Sequence, residues 1–452
     1  MRRNGIWERV PLDAARSGEL PYVPAVPGLP PAILPGRRVP GVEPEPMRPR
    51  YAERFRCIAS ACEDTCCQGW TVPIDQGTYE KYRSMEAMKP HLGTLIVLNT
   101  SAPTTADYAR IPMAGHEACG FLDAERLCGV QKQLGAEALS VTCNTFPRAI
   151  SQVAGEREEA LNLSCPEAAR LTLLDRQLGA WGEGNLDRYG AFRFGDGARP
   201  LLAIRDFVLL LVGDRRYALW QRMYLLGILT RRLQALSGGA PLAEWAEGNG
   251  RQVARLLADS ARVATVGTLR AAMDETEARP AEQLQVVMEM LRMRLSQQPI
   301  PARFLECVKD FEDGLGCAAA ACEQDILTAY QGSYERWYRP WMERHPYVME
   351  NYLANSVFKN SYPVGRKSDA GKTDPESEHM VLTMQMALIQ TLLVGMAGRY
   401  REGFGAEHVV KLVQSFGRTF EHSRESVAQM KELVRVKGLS NSRGIALLLR
   451  LE

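Results

Sequence analysis

From residue 171 to about residue 298, apolar positions recur at helical spacing in long amphipathic runs. One covers 201–236 with a break near Gly213-Asp214, another covers 281–298, and Gly238-Gly239 marks a stop between them. The pattern predicts an all-helical segment. Beyond Pro301 the same period continues, with candidate helices over 325–338, 347–360, 380–400, 406–422 and 424–436 around a polar, Gly-bearing loop at 365–378. Between Tyr51 and about Arg170 the chain reads differently: it is rich in Cys, broken by Gly and Pro, and shows only brief helical patterns at 76–83 and 130–134. The N-terminal stretch has no period, and ten prolines between Pro21 and Arg50 favour an extended polyproline segment. The well-patterned sequence begins just after Met47, which is an alternative start of translation. No internal repeat and no alternating strand–helix series is visible.

The expected architecture is mainly α. A Pro-rich extension (1–50) precedes an irregular, metal-organised Cys-rich domain (51–170), a helical domain (171–300) and a second helical domain (301–452). Composition adds exclusions. With 452 residues, 46% hydrophobic and 24% charged, the chain has ample length and apolar content for a packed core. Fifty-five Lys and Arg against 53 Asp and Glu is too balanced for the basic field that nucleic acid or an anionic membrane needs. The charge-free run at 380–398 is interrupted by Thr383, Gln385, Gln390 and Thr391, and reads as a buried core helix rather than a bilayer span. Met1-Arg2-Arg3-Asn4 leads into no apolar stretch of a secretory signal. The expected location is therefore cytoplasmic, with the thiols reduced and given to metal binding or thiol chemistry.

Eight of the eleven cysteines fall within 57–165: Cys57, Cys62, Cys66, Cys67, Cys119, Cys128, Cys143 and Cys165. Four of them lie within eleven residues, so several thiolates can converge on one centre without long loop closures. Adjacent side chains of extended backbone point opposite ways, so one of Cys66 and Cys67 serves a metal and the other the core. Four soft thiolates suit either tetrahedral zinc or a [4Fe–4S] cluster, and ligand type alone does not separate the two. Some of the eight also read as small buried hydrophobes. Cys307, Cys317 and Cys322 read as helix-packing thiols. His116 is the one histidine close to a cluster cysteine, and Trp337, Tyr338, Trp341 and Tyr347 read as core, or as a stacking surface for adenine or lysine.

Four segments carry a resemblance: Arg54-Phe55-Arg56-Cys57 through Cys62-Glu63-Asp64-Thr65-Cys66-Cys67-Gln68-Gly69-Trp70; Cys119-Gly120-Phe121-Leu122 with Leu127-Cys128; Thr142-Cys143-Asn144-Thr145-Phe146-Pro147-Arg148; and Leu163-Ser164-Cys165-Pro166. Together they resemble the flagellin lysine N-methylase family, and the first three are also similar to a wider family of zinc- or iron-chelating proteins. A fifth, from Glu350-Asn351-Tyr352 to Tyr362-Pro363, is similar to the methylases in particular. The resemblance covers residue 50 to the C-terminus. It implies an S-adenosylmethionine-dependent methyltransferase with a [4Fe–4S] cluster (zinc as the alternative), acting on lysines of flagellin or a similar protein, with no nucleic-acid or membrane partner. Oligomeric state is not legible.

On the helix around residue 355, Asn351, Asn355 and Lys359 share one face, while Tyr352 and Ser356 share another. These residue types can hold the amino and carboxylate groups of a methionine moiety or orient an amine. Residue chemistry alone favours a polar face docked on the Cys-rich domain. The resemblance shifts the reading to Asn351, Tyr352, Asn355 and Lys359 as donor-binding residues, with Tyr352 and Asn355 catalytic. Two familiar donor signatures are absent: Gly182-Glu183-Gly184 follows no strand, and Gly69 stands where a third thiol would complete a radical-type triad with Cys62 and Cys66. Polar displacement is therefore the expected chemistry, since an amine lone pair attacks a sulfonium directly. The competing reading is a zinc- or iron-handling scaffold without catalytic activity.

Overall fold

The computed structural model describes residues 49–452 except 69, 114–117, 177–198, 266, 298, 319–321 and 366–373. The Pro-rich leader, His116, Gly182-Glu183-Gly184 and part of the 365–378 loop lie outside the described residues. Residues 46–452 form one compact unit, and its described chain is mainly α-helical, as the periodicity predicts.

The core is organised around the helix Pro375–Tyr400, which contains the charge-free run. Asp374 caps it, its carboxylate accepting from the Ser377 amide at 2.8 Å. The helix packs against Leu219–Ser237, Ala302–Leu315, Glu323–Ser333, Ala406–Phe416 and Ser442–Leu449. Apolar residues circle it, so it is buried on every side. Among the described residues only the span Pro375–Gly403 is long and apolar enough to cross a membrane, and 94% of that apolar window is buried inside the protein. Its closest approach is to Ala302–Leu315, where a Cβ on Gly314 would collide with the Gly395 carbonyl. Glycine is required there because two backbones touch.

Among the described residues, five strands lie in the Cys-rich region. β1 (Val72–Ile74), β2 (Val97–Leu98) and β3 (Ala109–Ile111) form an antiparallel sheet of order β1-β3-β2, and β4 (Arg148–Val153) pairs with β5 (Glu156–Leu161) as a hairpin. Ala154 (φ +49°) and Gly155 (φ +79°) make the two-residue turn that matches strand twist. Periodicity did not predict this hairpin, because β5 reads Glu-Arg-Glu-Glu-Ala-Leu. Glu158 and Glu159 face opposite ways and are both buried. The first pairs with Arg205 and the second lies 3.2 Å from Arg148. Ion partners supplied by tertiary contact replace the apolar face a strand normally shows.

Candidate functional site: a cationic cleft beside the thiol loop

Every residue of the helix Tyr347–Lys359 is buried, and its polar side chains reach four different parts of the chain. Glu350 accepts from Arg222 Nη1 at 2.6 Å and from Arg215 Nη2 at 2.8 Å. Asn351 Nδ2 meets the carbonyls of Thr172, Leu173 and Asp175 at 3.0, 3.2 and 2.8 Å, closing the C-terminus of Pro166–Leu173. Asn355 Nδ2 donates to Leu161 O at 3.0 Å, and its Oδ1 accepts from Tyr51 Oη at 2.7 Å. Tyr352 Oη donates to Glu421 at 2.9 Å, and Lys359 pairs with the other oxygen of that carboxylate. Burial works against the Glu421 charge, but the Lys359 ammonium beside it holds its carboxyl below the usual range. Burial and the same carboxylate push the Tyr352 hydroxyl well up. Asn351 and Asn355 thus have the geometry of the docking alternative, and none of Asn351, Tyr352, Asn355 or Lys359 lines the cleft described below.

The eight clustered thiols fall into distinct surroundings. Cys67, Cys119, Cys128 and Cys143 pack around one small core with Val72, Ile74 and Ile111. Cys165 packs with Tyr51, Phe55 and Leu161 in another. Cys57 is exposed, and Cys62 Sγ lies 2.9 Å from the Asp64 carbonyl. Cys66 and Cys67 Sγ are 3.9 Å apart. Hydrogen bonding from Cys67 holds the Cys66 thiol down at about 7, aided by the Arg418 charge, whereas burial pushes Cys143 up to about 11 and Cys165 up to about 12. The thiols at 66, 67, 119, 128 and 143 feel one another electrostatically. That donor set has the soft chemistry of a zinc or iron–sulfur site. Among the described residues, however, no group of three or more His, Cys, Asp or Glu is drawn together to hold an ion. Cys307 and Cys317 belong to the helical core as expected, while Cys322 is exposed.

Cys66 opens onto a cleft of about 670 Å³, within the size range of small-molecule sites. Its walls come from widely separated segments: Asp64, Gln68 and Trp70 from the thiol loop, Thr142, Thr145, Phe146 and Arg148 from the approach to β4, Ser164, and Arg294, Pro301, Arg303, Arg418 and His422 from the helical half. Trp70 and Phe146 rings stand 6.3 Å apart. Arg418 clamps the thiol loop, donating to Asp64 Oδ2 at 2.5 Å, Thr65 O at 3.1 Å and Gln68 O at 2.6 Å. It sits in the one-turn π-helix Gly417–Glu421, a local widening common at functional sites. That turn is held from behind by Lys359 and Tyr352 through Glu421, and by Arg294, whose Nε donates to Thr419 O at 2.9 Å. His422 Nε2 lies 2.9 Å from Ser164 Oγ.

Sequence reasoning did not single out Arg148, Arg294, Arg303 or Arg418. The first ends the segment 142–148, which resembles the methylases. The others carry no local signal, since they sit on helical segments whose exposed positions are ordinarily charged.

Residues 205–448 match the model of the FliB lysine N-methylase C-terminal domain. Over 137 residues the chain is 37% identical to the flagellar biosynthetic protein FliU of Salmonella muenchen, covering 30% of this chain and 80% of that protein. Over 129 residues it is 38% identical to lysine-N-methylases of Salmonella typhimurium and Salmonella choleraesuis, covering 28% of this chain and 32% of each relative. The chain thus matches about a third of the length of those two relatives. No solved structure matches significantly.

Proposed function

The chain belongs to the FliB lysine N-methylase family, and from that premise we propose that it transfers methyl groups from S-adenosylmethionine to lysine side chains of flagellin or a similar protein in the cleft beside Cys66. One observation carries this reading. Asp64, Cys66 and Trp70, then Phe146 and Arg148, then Ser164, distant in sequence, line a single cleft together with residues of the matched helical domain.

The donor supplies a methyl group on a positively charged sulfur. The protein must present a neutral amine in line with it and exclude water. Deprotonating a lysine of ordinary pKa at neutral pH costs about 4–5 kcal/mol. Arg148, Arg294, Arg303 and Arg418 around the cleft disfavour an entering ammonium and so lower that cost. His422 offers an imidazole to receive the proton. Trp70 and Phe146 offer faces for an adenine ring. An iron–sulfur cluster, with zinc as the alternative, would draw its ligands from the eight clustered thiols, with one of Cys66 and Cys67 serving it beside partners such as Cys119, Cys128 and Cys143.

The test is anaerobic purification followed by incubation with flagellin and S-adenosylmethionine, reading lysine methylation by mass spectrometry and iron, zinc and sulfide by elemental analysis. Methylated lysines are expected. Cys66→Ser should lose metal, and Cys317→Ser should keep it. Absence of methylation by the metal-loaded protein would refute the activity, and full metal content in Cys66→Ser would refute that thiol's place in the ligand set.

A further inference from the structure

The four arginines lining the cleft are not equivalent. Arg418 spends its guanidinium on the thiol loop. Arg294 donates to Thr419 O, Gln297 O and Pro299 O. Arg148 pairs with Glu159 and lies over the Phe55 ring, 5.3 Å from its centroid. Arg303 has no ion pair or hydrogen bond among the described residues, and its Nε is buried without a partner. A guanidinium presents five donors in a planar fork, and the terminal nitrogens of Arg303 are neither buried nor engaged among the described residues, so an occupant of the cleft can take them.

Among the described lining residues no carboxylate is free to neutralise this charge, and the acidic Cys66 thiol lies against Cys67. Asp64 is the one carboxylate among the described lining residues, and it already accepts from Arg418 at 2.5 Å and from Gln414 at 2.8 Å. Thr71, Thr142, Thr145, Asn162 and Ser164 add neutral polar groups to the lining. An occupant must therefore carry an anionic group for Arg303, an aromatic or apolar portion for Trp70 and Phe146, and hydroxyls or amides for the neutral side chains. A phosphate alone meets the first requirement and leaves the aromatic wall bare. A nucleoside linked to an amino acid meets all three, with a planar carboxylate that suits a bidentate guanidinium.

We propose that Arg303 is the carboxylate-binding residue for the amino-acid moiety of an S-adenosyl ligand, seated with its adenine toward Trp70 and Phe146. The proposal rests on the donor reading given above and adds the residue and the orientation. No polar residue of Tyr347–Lys359 takes part in it.

The experiment is calorimetry on the full chain with two probes that share the adenosine and the thioether. S-adenosylhomocysteine carries the amino-acid carboxylate, and 5′-methylthioadenosine lacks it. Arg303→Gln should bind S-adenosylhomocysteine roughly 10- to 100-fold more weakly than the parent protein, with 5′-methylthioadenosine affinity unchanged within about 2-fold. Arg303→Lys should recover part of the loss, because charge is restored without the fork. Unchanged S-adenosylhomocysteine affinity in Arg303→Gln would overturn the assignment while leaving the donor reading intact. An equal loss for both probes would overturn it too, by showing a general disturbance of the cleft. A parent protein that binds neither probe removes the donor reading and this subsite with it.

Discussion

Replacing Asn351 by Ala separates a structural from a ligand-binding role for the polar helix. The side chain is fully buried, and its amide stands against three carbonyls at the end of Pro166–Leu173. Two amide hydrogens serve those three acceptors, so truncation removes the equivalent of two hydrogen bonds and deprives the Leu173 and Asp175 carbonyls of this donor, while Thr172 O keeps the Asp175 amide at 3.4 Å. Each lost bond is worth about 1 kcal/mol and each orphaned carbonyl about 1–3 kcal/mol, so a total near 3 kcal/mol follows when the site relaxes in part. For a unit of roughly 400 residues with an unfolding entropy of about 2.1 cal/mol/K per residue, that lowers the melting temperature by about 3–4 °C. In urea the midpoint should fall with an unchanged slope. Asn355→Ala should behave alike, and Tyr51→Phe should cost about 1 kcal/mol, because it deletes only the hydroxyl that donates to Asn355. The double variant should then be less destabilised than the sum of the singles, since both remove one bond. S-adenosylhomocysteine affinity measured on the folded fraction should stay at the parent value. Parent-like unfolding together with lost affinity would refute this reasoning and restore Asn351 to the ligand site.

Lys359→Met should destabilise by about 3–5 kcal/mol in urea unfolding, because it strands the Glu421 carboxylate in the interior. Adding Glu421→Gln should recover much of that loss, and an unchanged midpoint in the single variant would contradict the pairing. His379 is wholly buried with Nδ1 2.9 Å from Tyr362 Oη, and burial pushes its pKa down to about 3. The unfolded chain takes up that proton near pH 6.5 while the folded protein refuses it. Stability is therefore lost as pH falls below 6.5, by about 2 kcal/mol at pH 5. His379→Gln should flatten the dependence of unfolding free energy on pH between 7 and 5, and parallel slopes would rule the group out.

Several features follow from the order of residues alone. The mainly α class comes from the 3.6-residue period, which survives any tertiary arrangement because it reports local backbone geometry. The burial of Pro375–Tyr400 was legible in its missing polar face, and the packing roles of Cys307 and Cys317 in their place within helical segments. The segments around Cys66, Phe146 and Ser164 were visible as dense, chemically unusual stretches, and they do border the cleft.

Tertiary structure decided the rest. A periodic pattern says which face of a helix is polar, not what that face meets, and at Tyr347–Lys359 the polar residues meet partners up to 304 positions away. Asn351 and Asn355 satisfy buried backbone carbonyls of Pro166–Leu173 and β5. The β5 strand exists with two buried glutamates because Arg205 and Arg148 arrive from other elements. Arg303 is set apart from its three neighbours only by what each of them has already bonded. Sequence supplied the groups. Which of them remained unpaired in a shared cavity depended on long-range packing.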